Sequence, residues 1–122
     1  MNPERTDAMF KTANDAHQAI QTLKHATTMA TIPAPVAYVL LGSLSQMQDA
    51  VAQLARQIAA GLERSLTEFE VYDDARDPGE SLIEATAALT ATAIHATRAA
   101  ESTSTAQAAI ALQGFYLDKE DE

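Results

Sequence analysis

Three histidines are the side chains most suited to acid–base chemistry or metal binding near neutral pH. They are His17, His25 and His95. A helix presents two histidines to one metal ion when they are four residues apart, because both rings then share a face. His17 and His25 are eight residues apart, and no acidic residue completes a ligand set. The spacing therefore predicts exposed or boundary histidines and no metal site.

Carboxylates are the second group that could hold a cation. Residues 68–84 contain seven acids: Glu68, Glu70, Asp73, Asp74, Asp77, Glu80 and Glu84. Calcium loops need acids at alternate positions around a central glycine, and this spacing does not match. Acids before and within the first turn of a helix are favoured by the helix dipole. We expect a solvated, capped turn with no bound metal and no cofactor.

Nucleophilic chemistry has little support in the sequence. The chain has no cysteine, which excludes thiolate catalysis and redox switching. The run Gly42-Ser43-Leu44-Ser45-Gln46 lacks the second glycine of a nucleophile elbow and lies within a predicted helix. The run Ser102–Thr105 is a phosphorylation candidate, but it is more typical of a small-residue packing seam with back-bonded hydroxyls. We expect no catalytic residue and no enzymatic activity.

The composition is typical of one small helical domain. The chain has 122 residues, 26 of them alanine, and only 5% are aromatic. Alanine has the highest helix propensity, whereas aromatic residues favour strands. The longest apolar run, residues 36–41, is too short to span a membrane, and the charged N-terminal segment lacks a signal-peptide core. We predict an all-α cytoplasmic protein, with secretion without a cleavable signal peptide as the alternative.

Hydrophobic periodicity predicts a bundle domain over residues 1–114 and an acidic tail over residues 115–122. The predicted helices cover residues 3–29, 35–71 and 78–113. Pro33 and Pro35 separate the first two, because residues before proline favour extended backbone. Asp77-Pro78-Gly79-Glu80 forms a capping box at the start of the third helix. Gly114 is placed to end that helix in a left-handed conformation.

Apolar stripes on the second and third helices predict how those helices pack. The second carries Leu40, Leu44, Met47, Val51, Leu54, Ile58, Leu62, Leu66 and Phe69. The third carries Ile83, Leu89 or Thr90, Ala93, Thr97, Ala100, Ser104, Ala108 and Ala111. Small residues allow helix axes to approach closely, so we predict a long antiparallel hairpin with the first helix along it. Leu54 and Ile58 are expected at the buried centre.

The charge of -9 lies in two short segments, residues 68–84 with -6 and residues 118–122 with -3. No basic stripe exists, so we expect no direct nucleic-acid binding. Over most of their length the two long helices carry only Asp49, Arg56, Arg98 and Glu101. Either neutral polar residues suffice as a solvent face, or the helices are buried on several sides in a homo-oligomer. Self-association candidates are Leu44, Met47, Val51, Ile94, Ala100 and Ala108.

The C-terminal tail is a further candidate docking element. Three large apolar residues, Phe115, Tyr116 and Leu117, precede its acids. They either contact a partner or fold back onto the bundle. Together with the acidic turn, they give the candidate partner-binding residues Glu70, Asp73, Asp74, Glu80, Phe115, Tyr116 and Glu120.

A long helical hairpin followed by Tyr116-x-x-x-Glu120 resembles the small substrates of type VII (ESX) secretion. That resemblance implies pairing of hairpins into four-helix dimers and an export signal at Tyr116 and Glu120. The Trp-x-Gly turn of those substrates is absent, and Asp74-Ala75-Arg76 stands where it would fall. The alanine- and threonine-rich composition also resembles short helical proteins of actinobacterial genomes and their mobile elements.

These observations lead to three hypotheses about function. The first is a helical interaction module that self-associates and presents its acidic turn and tail to a basic partner. The second is an exported hairpin of the secretion type. The third is an acidic inhibitor or nucleic-acid mimic, which needs carboxylates spread along a face, whereas here they cluster at two ends.

Overall fold

The computed structural model describes residues 2–117 and contains three α-helices in that range. Helix α1 spans Pro3–Thr27, α2 spans Ala34–Glu68 and α3 spans Pro78–Ala109. The described residues contain no strand, so the all-α prediction is confirmed. Within this same range, no helix is long and apolar enough to cross a membrane.

The chain divides between Ile32 and Pro33 into two compact units, which we describe separately. In the first unit, the Asn2 side chain caps α1 by accepting a hydrogen bond from the Glu4 N–H at 3.0 Å. Helix α1 ends at Thr27 because Thr28 adopts an extended backbone with ψ of 120°, and Met29 follows with a left-handed φ of 56°. None of the α1 residues is buried. The packing of α1 along the hairpin and the division at residue 114 stay predictions.

The second unit is a hairpin in which α2 and α3 pack through two rows of mostly small residues, which we call the seam. All of the following are buried or half-buried. The α2 row is Leu41, Ser45, Gln48, Ala52, Ala55, Ala59 and Leu62. The α3 row is Leu82, Thr86, Leu89, Ala93, Ala96, Ala100, Thr103, Gln107 and Ile110. Alternating steps of four and three residues average 3.5, the repeat of a left-handed coiled coil.

The centre of the seam consists of alanine. Among residues 2–117 the buried side chains are Ala52, Ala55, Ala93 and Ala100, each at most 4% exposed. A methyl side chain lets two helix axes approach closely, which brings polar groups on both helices within hydrogen-bonding distance. Thr103 Oγ1 donates to Gln48 Oε1 at 2.8 Å. The predicted antiparallel hairpin is confirmed.

Polar bonds at one end of the hairpin fix the register of the two helices. The Ser45 hydroxyl donates to the Ala100 carbonyl at 3.2 Å and lies 2.9 Å from the Ser104 hydroxyl. Gln107 Nε2 donates to the Tyr38 carbonyl at 2.9 Å, and it passes close to the backbone of Gly42. A Cβ at residue 42 would lie 2.8 Å from Gln107 Nε2, so glycine leaves room for this bond.

Of the predicted α2 stripe, Leu62 lies in the seam, but the part from Leu40 to Ile58 lies beside it, so the prediction that this part faces α3 was wrong. Leu54 is 54% exposed and Ile58 is 47% exposed. Each of these residues directly precedes a seam residue, which places it about 100° around the helix from the seam. The cause is the size of the α3 side chains. The alanines of α2 and α3 meet at short range, and Leu54 and Ile58 are displaced to one flank.

The predicted row on α3 was only partly correct. Leu89 packs against the buried cluster of Ala52, Ala55 and Ala93, and Ala100 is also buried. Thr97 is half-buried, and Ile83, with the 72% exposure of its side chain, lies outside the seam. Ser104, Ala108 and Ala111 are exposed as well.

The predicted cap at the start of α3 is observed, whereas the predicted end of α3 at Gly114 is not. Asp77 Oδ2 accepts a hydrogen bond from the Glu80 N–H at 3.3 Å, as the capping box requires. The reciprocal bond from the Glu80 side chain is not formed among the described residues. Helix α3 ends at Ala109 rather than near Gly114, and no glycine in residues 2–117 has a positive φ. A tight turn at Ile110 ends the helix instead.

The seam predicts a contrast between two alanines on α3. Ala93 is 1% exposed, so Ala93→Leu should overpack the seam and lower the free energy of unfolding by about 1–3 kcal/mol. Ala91 is exposed, so Ala91→Leu should change it by less than about 0.5 kcal/mol. Chemical denaturation measures both. Equal effects of the two substitutions would contradict the assignment of the seam.

Candidate interaction surfaces

A row of large apolar side chains runs along one flank of α2, and we call it the α2 ridge. It comprises Leu40, Leu44, Met47, Val51, Leu54 and Ile58. Four members are 41–54% exposed, and Leu40 and Met47 are half-buried. Six large side chains in one uninterrupted row form an apolar patch of the kind that marks a binding surface. The ridge is therefore the strongest candidate site in the hairpin.

The ridge belongs to a face of the hairpin that carries no formal charge. In two antiparallel helices, residues directly before a seam position lie on the same face. On α3 these residues are Ala85, Ala88, Thr92, His95, Ala99, Ser102 and Ala106. Neither they nor the ridge include Asp, Glu, Lys or Arg. We call the ridge and these α3 residues together the uncharged face.

Charged side chains occur on the opposite face, next to the other side of the seam. Asp49, Arg56 and Glu63 on α2, and Glu101 on α3, each directly follow a seam residue. An open groove of about 310 Å³ on this side is lined by Ser45, Asp49, Thr97, Ala100, Glu101 and Ser104. The hairpin thus has one apolar face and one face that is suited to water.

The six self-association candidates separate between these surfaces. Leu44, Met47 and Val51 lie together on the α2 ridge. Ile94 and Ala108 directly follow seam residues of α3, which places them on the opposite face. Ala100 is 3% exposed and lies in the seam, where it also lines the open groove on the opposite face. Leu54 and Ile58 also lie on the α2 ridge. The sequence interpretation missed this, because it placed both residues in the seam.

The acidic segment, residues 68–84, is organised around Asp73. Its Oδ1 accepts hydrogen bonds from the Ala75 N–H at 2.9 Å and the Arg76 N–H at 3.2 Å. The hydrogen bond from the Ala75 N–H is the chief reason why the pKa of the Asp73 carboxyl lies below its ordinary value of 3.8. Asp73 therefore has a structural role in this turn.

The other acids of this segment are more accessible to a partner. Glu70, Asp74 and Glu80 are exposed, whereas Asp73 is half-buried. Arg76, the one base of the segment, contacts Glu84 at 2.6 Å in an exposed ion pair. The remaining carboxylates give the connection between α2 and α3 a negative surface.

The tail residues Phe115, Tyr116 and Leu117 are 59%, 95% and 68% exposed. They do not fold back into a buried position, so the docking interpretation stays a prediction. Glu120 and the other tail acids lie outside the described residues. The Tyr116-x-x-x-Glu120 signal that the ESX resemblance implies therefore also stays a prediction.

The three histidines do not belong to a group of potential metal ligands in the described part of the chain. His17, His25 and His95 are exposed, and within residues 2–117 no three potential metal ligands form a group. In the serine- and threonine-rich run, Thr103 and Ser104 bond across the hairpin, and the Thr105 hydroxyl donates to the Glu101 carbonyl. These bonds agree with the prediction that the run packs between the helices and that its hydroxyls bond to the backbone.

Comparison with protein-family models, curated proteins and solved structures gives no match to this chain. The class of protein defined by its own geometry is an α-helical hairpin with a small-residue seam and an exposed apolar face.

The Asp73 turn predicts a pH dependence. Because the carboxylate is favoured in the folded turn, its contribution to stability is present above pH 3.8 and is lost as pH falls through the lower folded pKa. In a carbon-13 NMR titration, the Asp73 carboxyl should titrate below 3.8. Ala75→Pro removes the main N–H donor and should raise that midpoint. An unchanged midpoint in the proline variant would rule out this cause.

Proposed function

We propose that the chain is a non-enzymatic helical interaction module that self-associates through its uncharged face and presents its acidic segment to a basic partner. The observation that carries this proposal is the α2 ridge, a row of six large apolar side chains whose four most exposed members are 41–54% accessible. Burying such a row lowers the free energy by about 25 cal/mol for each Å² of apolar surface that is removed from water, which favours association.

A protein partner fits this surface better than a lipid bilayer. Helices that bind in the membrane interface carry lysine and arginine on the polar face, where they attract anionic lipids. The side of the hairpin opposite the ridge has both signs of charge, with Asp49, Glu63 and Glu101 outnumbering Arg56. The net charge of the chain is -9, which repels an anionic surface.

Self-association should appear in the mass in solution. Light scattering at micromolar concentration should give at least twice the chain mass of 13.0 kDa. Leu54→Ala should weaken the association about tenfold or more, because a loss of 1.4 kcal/mol at an interface has that effect. Gln57→Ala is the matched control, because Gln57 lies on the same helix, is exposed and points away from the seam. A monomer with a cooperative melt would contradict the proposal.

The acidic segment should govern the rate at which a basic partner binds. A short lysine-rich peptide serves as the probe, and stopped-flow fluorescence gives its association rate at low and high salt. The double variant Glu70→Lys, Asp74→Lys should slow association and flatten its salt dependence, because peripheral charges chiefly steer encounter.

The matched control makes the same change in net charge away from the acidic segment, on the face of the hairpin opposite the uncharged face. It is the double variant Asp49→Lys, Glu101→Lys, which should affect the rate much less. If both double variants slow association equally, total charge is responsible and the acidic segment is not a docking surface.

A further inference from the structure

We infer that the partner on the uncharged face is a second copy of this chain, with the α2 ridge of each copy packed along α3 of the other. This inference rests on the self-association proposed above and names its geometry. The receiving surface on α3 is the row Ala85, Ala88, Thr92, Ala99, Ser102 and Ala106, which we call the α3 trough. His95 is the one larger side chain in that row.

Complementary size is the first support for this pairing. The ridge consists of leucine, isoleucine, valine and methionine, and the trough consists almost entirely of alanine, serine and threonine. Large side chains packed against small ones fill space at the density of protein interiors. Both surfaces lie on the same face of one chain, so two copies of that face can complement each other twice.

Charge is the second support. Taking a charged group out of water without a partner is costly, and an interface core is depleted of charged residues. The ridge and the trough contain no Asp, Glu, Lys or Arg. The charged residues Asp49, Arg56 and Glu101 remain on the outer surface when two uncharged faces meet.

Symmetry then decides which helices are in contact. A two-fold axis parallel to the helices places α2 of one copy on α3 of the other, so every contact joins a large row to a small one. A two-fold axis perpendicular to the helices places ridge on ridge and trough on trough. Axis separations vary between about 8 and 10 Å with side-chain size, so the second arrangement would make one helix pair much wider than the other. The parallel axis gives equal separations.

The extent of the face suits a dimer. The ridge covers residues 40–58 and is about 27 Å long at 1.5 Å per residue, and two helices together are about 20 Å wide. The resulting interface buries about 1,000–1,200 Å² over both copies, which reaches the roughly 1,000 Å² expected of a specific interface and lies just below the range of about 1,200–2,000 Å² for stable ones.

The register within the hairpin predicts which residues meet between copies. The Ser45–Ser104 contact places those two residues at one level. Nine residues further along α2 is Leu54, and nine residues back along α3 is His95. A two-fold axis parallel to the helices keeps every residue at its own level. Leu54 of each copy therefore faces His95 of the other, and Val51 faces Ala99.

Cysteine cross-linking tests this geometry in the full chain, which has no native cysteine. Leu54→Cys and His95→Cys are prepared as separate proteins, mixed and oxidised, and one carries a mass tag. The mixed disulfide should exceed either self-disulfide several-fold. Val51→Cys mixed with Ala99→Cys is an independent second pair in case one variant fails to fold. The control pair is Gln57→Cys with Ala91→Cys, which lie at one level on outward surfaces and should not cross-link.

The outcomes separate this inference from the proposed function. A dimeric mass with strong self-disulfides of Leu54→Cys or Val51→Cys means ridge on ridge, which overturns the inference and leaves self-association intact. A dimeric mass with no mixed disulfide in either pair also overturns it. A monomeric mass, whether the ridge is free or covered by α1 of its own chain, overturns both.

Discussion

The close approach of α2 and α3 at their alanine seam is the constraint on which the rest of the structure depends. Ala52, Ala55 and Ala93 allow the two backbones to come near enough for side chains to bond across the hairpin, as Thr103 does with Gln48. Where Ala52 and Ala55 meet Ala93, the α2 side of the contact is formed by methyl groups, and the larger Leu54 and Ile58 lie beside it. The α2 ridge is directed to one flank, and Asp49, Arg56 and Glu63 to the other.

The same seam links the proposed self-association to the stability of the hairpin. The buried side chains of the hairpin are alanines that contribute one methyl group each, and its seam leucines are only half-buried, so few large side chains are fully removed from water. Ordering the backbone costs about 1–2 kcal/mol per residue, which a core of this size offsets poorly. The larger apolar area lies on the ridge, outside the hairpin. We propose that a second copy, by covering the ridge, also provides the core that the single hairpin lacks.

Much of the fold could be predicted because its signals are local. The Asp77 cap, the proline separation near Pro33 and the helix propensity of alanine each act within a few residues, and they gave three helices and a hairpin. The face of α2 that meets α3 was not predictable in this way. Two rows with the same repeat, one beginning at Leu40 and the other at Leu41, differ by one residue, and the choice depends on the size of the side chains on α3. Leu54 and Ile58 were missed as members of the candidate site for that reason, since ranking by hydrophobicity placed them in the core, whereas Leu44, Met47 and Val51 were named as self-association candidates.

Whether the hairpin gains its main apolar core from a second copy can be measured through the concentration dependence of thermal unfolding. Circular dichroism at 222 nm, recorded over a hundredfold range of protein concentration, follows the loss of helix. If folding is coupled to dimerisation, the midpoint Tm rises steadily with concentration in one cooperative transition. A Tm that stays constant over the whole range, with the same cooperativity, would contradict the account and show that the single chain is stable with its ridge exposed.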